Sequence, residues 1–164
     1  MHYFITFACY GAHLHGSESG SVDRRHNLFG GRLAESDPGL ELLVRHHMLQ
    51  PPYLLDQESR TVVLTAMREV CSHRGWELLA AHVRANHVHV VVEAEDRPER
   101  VMNAFKSYAS RALNRLGRNG PNRARWARHG STRWLWKRQD LQEAIHYVVH
   151  EQGETMTLFV AGTS

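Results

Sequence analysis

The sequence predicts an α+β fold, with helices packed over an antiparallel sheet in a ferredoxin-like arrangement. Short segments rich in aromatic and β-branched residues alternate with longer segments of helical periodicity. Their order is strand, long loop, helix, strand, strand, helix, strand, helix. No segment repeats, and 164 residues with 42% hydrophobic content suit one core. We therefore expect a single domain over residues 1–164, with an irregular insertion at about 11–57.

The first half of the chain supplies one strand and one long helix. Residues 2–10 are aromatic and β-branched and predict a strand. Gly, Ser and Pro interrupt residues 11–57, where we expect only a short helix near 39–48. Residues 58–74 carry apolar side chains at helical spacing, and Gly75 ends this helix.

The middle of the chain predicts a hairpin followed by a helix. WELLAAHVR and HVHVVVEAE read as strands over 76–84 and 87–95, joined by a tight turn at Ala85 and Asn86. The helix over 98–116 has proline in its first turn, where the missing N–H costs nothing.

The last part of the chain predicts a basic loop over 117–125, a short strand over 131–137 and a third helix over 139–151. Gly153 ends this helix. The strand completes the sheet, and the helix is available to cover it.

The positive charge is concentrated in one segment. Residues 97–138 contain ten arginines and two lysines against one acid, a net charge of +11. Because the whole chain is only +3, the other 122 residues carry –8. Three tryptophans lie among the arginines, and this mixture of phosphate-binding charge and stacking rings is typical of single-stranded nucleic-acid binding. The predicted DNA contacts are Lys106, Arg111, Arg115, Arg123, Arg125, Trp126, Arg128, Arg133, Trp134 and Trp136.

The candidate metal ligands are two histidines on one strand. His87 and His89 are two residues apart, so both imidazoles project from the same face of the predicted strand. Such a pair can bind a metal ion. In a chain with 13 histidines the same spacing also arises by chance, as it does at His13 and His15.

The third predicted helix supplies a candidate nucleophile and further ligands. Tyr147 and Glu151 are four residues apart and share one helical face, and Gln152 is the reserve ligand. Tyr147 could equally be an ordinary packing residue of an amphipathic helix. Tyr108, two residues after Lys106, is the reserve nucleophile.

The ordered set of these motifs resembles a known family. ANHVHVVVE, then FKSYASRAL, a Trp/Arg segment and AIHYVVHEQG resemble the HUH superfamily of single-tyrosine transposases, of the insertion-sequence and REP-associated types. The resemblance covers roughly residues 76–153. It implies that His87 and His89 are the metal pair, that Tyr147 is the nucleophile, and that Glu151 occupies a position where the family has Gln, Asn or similar.

The same resemblance implies the reaction and its partners. We expect cleavage and strand transfer of single-stranded DNA through a 5′-phosphotyrosine, with a hairpin-shaped substrate and a homodimeric enzyme. Mixed nitrogen and oxygen ligands at a phosphate site favour Mg²⁺ or Mn²⁺. The alternatives are a non-catalytic, domesticated module that binds hairpin DNA or RNA, and a metalloenzyme acting on small molecules; neither a hydrolase nor an oxygenase site explains the basic segment.

Composition narrows the cellular setting. No run of eighteen apolar residues could span a membrane, and the first residues lack the basic start of a signal peptide. Two cysteines cannot make a disulfide framework. We expect a cytoplasmic protein without a membrane partner.

Overall fold

A computed structural model describes residues 1–12 and 49–163, and in this part of the chain three helices lie against a five-stranded sheet. The predicted short helix near 39–48 and the pair His13 and His15 lie outside the described residues. The strands are β1 (His2–Cys9), β2 (Glu77–Val83), β3 (His87–Glu93), β4 (Trp126–Trp134) and β5 (Thr157–Val160). The helices are α1 (Gln57–Arg74), α2 (Pro98–Arg115) and α3 (Arg138–His150).

The sheet has the strand order β4-β1-β3-β2-β5, and all its described pairs are antiparallel. The first four of these strands, together with α1 and α2, form the predicted ferredoxin-like arrangement. The α+β fold class is therefore confirmed. Strand β5 extends the sheet at the free edge of β2 and had no counterpart among the predicted elements.

Helix α1 begins and ends as its sequence predicts. The Asp56 side chain accepts a hydrogen bond from the Ser59 N–H at 2.8 Å and so caps the first turn. Gly75 follows the helix with φ of 72°, the left-handed conformation that glycine adopts most readily, and its N–H binds the Cys71 carbonyl.

Strand β4 begins earlier than the sequence predicts. The expected strand was 131–137, whereas pairing with β1 starts at Trp126 and continues through a register shift between Phe7 and Cys9. Gly130 permits this pairing, because a Cβ there would lie 2.7 Å from the Thr6 carbonyl oxygen and 2.5 Å from Met102 Sδ. The sequence of β4 lacks alternation because an edge strand is held largely by its backbone.

The sheet separates two apolar clusters. Helices α1 and α2 cover one face, which we call the helix-pair face, and pack on alternate residues such as Ile5, Phe7 and Val90. Helix α3 covers part of the other face, the α3 face, where Ala144 and Val148 meet Phe4, Ala80, Val91 and Leu135. No helix in the described part of the chain is long and apolar enough to cross a membrane.

Candidate active site

The two histidines of β3 lie together on the α3 face. Val88 and Val90, their alternate neighbours, are fully buried in the opposite cluster, which fixes the direction of both imidazoles. The ring centroids of His87 and His89 are 4.7 Å apart, with the planes nearly perpendicular. His89 is only 7% exposed. The predicted shared face is therefore present in the structure.

Each imidazole is oriented by a hydrogen bond at Nδ1. His87 Nδ1 lies 2.5 Å from Asn86 Oδ1, and His89 Nδ1 lies 2.9 Å from Thr6 Oγ1. The Asn86 amide oxygen can only accept, so Nδ1 of His87 carries the proton of this hydrogen bond. Thr6 faces His89 directly across the β1–β3 ladder. Metal-binding histidines are commonly oriented in this way, with one ring nitrogen bonded to an oxygen and the other directed to the metal.

Tyr147 lies beside this pair within the same chain. Its ring centroid is 5.8 Å from that of His89 and 5.8 Å from that of Phe4, edge-to-face in both cases. Phe4 is itself stacked on His89, with centroids 6.0 Å apart. The half-buried phenol thus belongs to a ring cluster that includes one of the two candidate metal ligands.

The residues that follow Tyr147 close the helix. Glu151 is the C-terminal cap of α3, and its N–H donates to the Tyr147 carbonyl at 3.0 Å. Its carboxylate is 54% exposed and lies 3.9 Å from His146 Nδ1. The Gln152 amide also donates to the Tyr147 carbonyl, at 3.4 Å. Within residues 1–12 and 49–163, no three His, Cys, Asp or Glu side chains form a metal-binding group, so Glu151 is not assembled with His87 and His89 in this arrangement.

The donor set fits one side of a divalent-metal site. Two neighbouring imidazoles with defined Nδ1 partners are rigid nitrogen ligands, and the remaining positions would fall to water, substrate oxygens or a side chain from the end of α3. Phosphate oxygens commonly complete the coordination of Mg²⁺.

Tyr108, the reserve nucleophile, lies across the sheet from the histidines. It belongs to α2 and packs against the core of the helix-pair face. The guanidinium of Arg111 lies over its ring, 4.5 Å from the centroid. The sheet thus separates Tyr108 from His87 and His89.

Several residues predicted to contact DNA point inward. Lys106 donates to the Ala127 and His129 carbonyls at 3.1 and 3.2 Å, and its burial lowers the pKa of its ammonium group. The Trp126 indole N–H donates to the Lys106 carbonyl and to Ser110 Oγ. These two side chains join α2 to β4. Their position differs from the surface position expected, because an edge strand beside a helix leaves backbone carbonyls that need donors.

Two arginines of the basic loop also make internal contacts. Arg123 donates to Gln50 Oε1 at 3.0 Å and to the Pro51 and Pro52 carbonyls at 2.7 and 3.2 Å. Arg125 is only 4% exposed and lies over the Tyr53 ring. In this arrangement both arginines contact the segment that leads into α1, whereas the sequence predicts that they contact DNA.

The remaining predicted contacts are exposed, apart from the half-buried Arg133. Trp136 is 70% exposed and stacks on Trp134, with parallel rings 4.9 Å apart. Arg133 is half-buried and lies opposite Phe4, which places it on the α3 face beside the ring cluster. The exposed arginines among the predicted contacts are Arg111, Arg115 and Arg128.

One histidine of the α3 face was missed at the level of sequence. His82 faces His89 across the β2–β3 ladder and is 1% exposed. The sequence was sufficient to predict this pairing, because a two-residue turn at Ala85 and Asn86 sets the register of the hairpin. A third imidazole therefore lies next to the predicted pair.

Comparison with known proteins gives a match to a family model. The model of a family described as IS200-like transposases matches residues 46–135, just over half of the chain. The match includes His87 and His89 but ends before α3. No curated protein gives a significant match.

The chain resembles solved structures that include the following two. One is a REP-associated tyrosine transposase bound to a REP hairpin, with 14% identity and a TM-score of 0.48; 90% of this chain and 63% of that chain are covered. The other is a candidate transposase from Deinococcus radiodurans R1, with 15% identity and a TM-score of 0.51; 87% and 85% are covered. This chain therefore spans less than two thirds of the length of the first, and the second supports the fold.

Proposed function

The chain belongs to the IS200-like transposase family, and from this membership we propose that it cleaves and rejoins single-stranded DNA through a bond between Tyr147 and a 5′-phosphate. The observation that supports the proposal best is the cluster of rings on the α3 face. Tyr147 lies 5.8 Å from His89, and His89 lies 4.7 Å from His87. A nucleophile next to a pair of metal-binding imidazoles suits phosphoryl transfer.

The reaction exchanges one phosphate ester for another. The phenolic oxygen of Tyr147 forms a bond to the scissile phosphorus while the bond from phosphorus to the 3′-oxygen breaks. The phenol proton balances the charge on the departing oxygen, which leaves as a 3′-hydroxyl. In rejoining, a 3′-hydroxyl attacks the phosphotyrosine and Tyr147 recovers its proton. Because the ester is conserved, no nucleotide cofactor is consumed.

His87 and His89 are the residues that would hold a divalent cation, which we propose to be Mg²⁺ or Mn²⁺. When bound, it would polarise the scissile phosphate and stabilise the charge of the transition state. Asn86 and Thr6 keep the two rings oriented before DNA binds. Glu151 remains the proposed third ligand, with Gln152 in reserve; either would join the pair after a movement of the end of α3.

The proposed substrate is single-stranded DNA that carries a hairpin. Trp136, stacked on Trp134, offers an exposed surface for an unpaired base. The Arg133 guanidinium, on the same face as the ring cluster, would neutralise a phosphate near Tyr147. We further propose that the enzyme is a homodimer that works in the cytoplasm.

A covalent adduct tests the proposed function. The protein is incubated with hairpin-bearing single-stranded DNA and Mn²⁺, and a species that survives denaturation is mapped by mass spectrometry. We expect the adduct on Tyr147. Tyr147→Phe removes one oxygen and keeps the ring, so it should bind DNA normally and give only background adduct.

Tyr108→Phe is the matched control, because it makes the same change on the opposite side of the sheet. It should retain adduct formation. An adduct that persists in Tyr147→Phe and disappears in Tyr108→Phe would overturn the assignment. Tight DNA binding without any adduct in the wild-type protein would instead identify a non-catalytic binding module.

A further inference from the structure

His82 lies between the candidate site and α3, the helix that carries the proposed nucleophile Tyr147 and that we call the nucleophile helix. It lies on β2, directly opposite His89, and its side chain is directed to the α3 face. Its exposure is 1%, against 7% for His89, so it is the more deeply buried of these two facing imidazoles. Neither the family match nor the proposed chemistry gives it a role.

Both ring nitrogens of His82 are used by backbone groups. The Met156 N–H donates to Nε2 at 2.9 Å, and Nδ1 lies 3.2 Å from the Val148 carbonyl oxygen. A backbone N–H can only donate, so Nε2 must carry the lone pair and Nδ1 the proton. The ring is thus neutral and donates to Val148, and its burial lowers the pKa of His82 in agreement with this form. A ring bonded at both nitrogens is not a metal ligand.

The Val148 carbonyl belongs to the last turn of the nucleophile helix. Carbonyls in the last turn of a helix have no partner within the helix, and Val148 directly follows Tyr147. Met156, the second partner, immediately precedes β5, which pairs with β2. His82 therefore joins the sheet to both ends of the segment that leads out of α3.

Helix α3 is less deeply buried than the other two helices. Only Ala144 and Val148 are buried in the helix, whereas α1 and α2 bury six and seven residues. Because so little of α3 is buried, the two hydrogen bonds of His82 contribute substantially to the position of the end of this helix.

We propose that His82 is a positioning residue that sets the placement of Tyr147 relative to His89. This inference rests on the proposed function, since it assigns His82 a part in the same reaction. His82 acts through the backbone of α3 and does not touch the reacting atoms.

Three substitutions separate the two hydrogen bonds. His82→Leu keeps an apolar volume and removes both. His82→Asn retains an amide donor near the position of Nδ1, whereas His82→Gln retains an acceptor near the position of Nε2. The control is Val83→Ala, the neighbouring buried residue on the opposite face of the same strand.

The main measurement is the single-turnover rate of adduct formation at saturating DNA, at a temperature where circular dichroism shows every variant folded. We expect His82→Leu to lower the rate by about 100-fold, the effect of a small misplacement of a reacting group, with an unchanged Kd for DNA. His82→Asn should recover most of the rate, because it keeps the bond to the nucleophile helix. Equal rates for His82→Leu and Val83→Ala would overturn the proposal.

A second measurement tests the placement of Tyr147 without using the reaction. It therefore distinguishes a failure of this proposal from a failure of the proposed function and from a failure to fold. In the wild-type protein, ¹⁵N chemical shifts should identify the Nδ1–H form of His82, and a nuclear Overhauser effect should connect the Tyr147 and His89 rings. That effect should persist in Val83→Ala and disappear in His82→Leu. If the wild-type protein forms no adduct, the proposed function fails, and the ring-to-ring contact alone then decides whether His82 positions Tyr147. A different tautomer, or a contact retained in His82→Leu, would refute it.

Discussion

Single hydrogen bonds decide how the candidate ligands are oriented. The alternation of β3 was sufficient to predict from the sequence that His87 and His89 share a face, since the period of a strand is two. The sequence could not predict that Thr6 bonds to His89, because the two residues are 83 positions apart and meet only through the register between β1 and β3. The inward direction of Lys106 was likewise a matter of tertiary packing rather than of local pattern.

Thr6→Val should weaken metal binding while leaving the fold intact. Valine has the shape of threonine without the hydroxyl, so His89 loses its Nδ1 partner. Loss of such an outer contact typically lowers metal affinity about 10- to 100-fold. The measurement is Mn²⁺ titration followed by electron paramagnetic resonance.

Thr132→Val is the matched control. The Thr132 hydroxyl donates to Glu99 on the helix-pair face, so it is remote from the histidines. Its removal should leave Mn²⁺ affinity unchanged. Equal Mn²⁺ affinity in Thr6→Val and the wild-type protein would show that the Thr6 contact does not orient a metal ligand.

Individual elements were predictable where local signals were strong. Helix α1 has a cap, apolar spacing and a terminal glycine, and its bounds agree with the prediction to one residue. Strand β5 has only four residues, too few for a periodicity, and its place depends on the exposed edge of β2. Strand β4 was placed too late because Arg128 and His129 interrupt its pattern, although the backbone ladder on either side of them belongs to one strand.

The cap of α1 should make the stability of the folded protein depend on pH in the acid range. The Ser59 N–H and hydroxyl and the Arg118 guanidinium hold the pKa of Asp56 below its ordinary value of 3.8. A lowered folded-state pKa gives stability that is present above pH 3.8 and is lost as the pH falls through the lower folded value. Asp56→Ala should therefore have a lower Tm than the wild-type protein near neutral pH, and the difference should shrink in acid.

Thermal unfolding followed from neutral to strongly acid pH measures this effect. Glu58→Gln serves for comparison, because Glu58 also contacts Arg118 but does not cap the helix. Its loss of Tm should be smaller than that of Asp56→Ala. Parallel curves for the wild-type protein and Asp56→Ala over the whole pH range would contradict the capping argument.

At the scale of the whole molecule, the sheet separates the larger apolar core from the candidate site. The helix-pair face contains the larger core, and the α3 face contains the histidine pair, Tyr147 and Arg133. The concentration of charge in 97–138 was visible in the sequence, but part of it is internal. Charge alone could not distinguish an arginine that binds carbonyls, such as Arg123, from an exposed one such as Arg128.

The difference between internally bonded and exposed arginines predicts different effects of equivalent substitutions on DNA binding. Arg128→Ala removes an exposed charge, so the slope of log K against log salt for single-stranded DNA should fall by about 0.7 if one phosphate contact is lost. Arg123→Ala removes contacts to Gln50 and to two proline carbonyls, so it should lower Tm and leave the slope unchanged. Fluorescence anisotropy at several salt concentrations gives the slopes.

Arg115→Ala is a second exposed variant for this comparison and should behave like Arg128→Ala. A wild-type affinity that does not change with salt would remove the electrostatic basis for nucleic-acid binding. A reduced slope in Arg123→Ala, with normal stability, would restore this residue to the DNA-binding surface.

The end of β4 has a consequence for where DNA would be cut. Trp134 faces one side of the sheet and stacks with Trp136, whereas Leu135 is buried on the other side beneath α3 and binds the His2 carbonyl. Three consecutive residues, the last of β4 and the two that follow it, thus connect the exposed ring with the apolar cluster beneath α3. Under the proposed reaction, a base stacked on Trp136 would be held next to the residues that pack beneath α3, so we expect the cleavage position to depend on the number of nucleotides from that base.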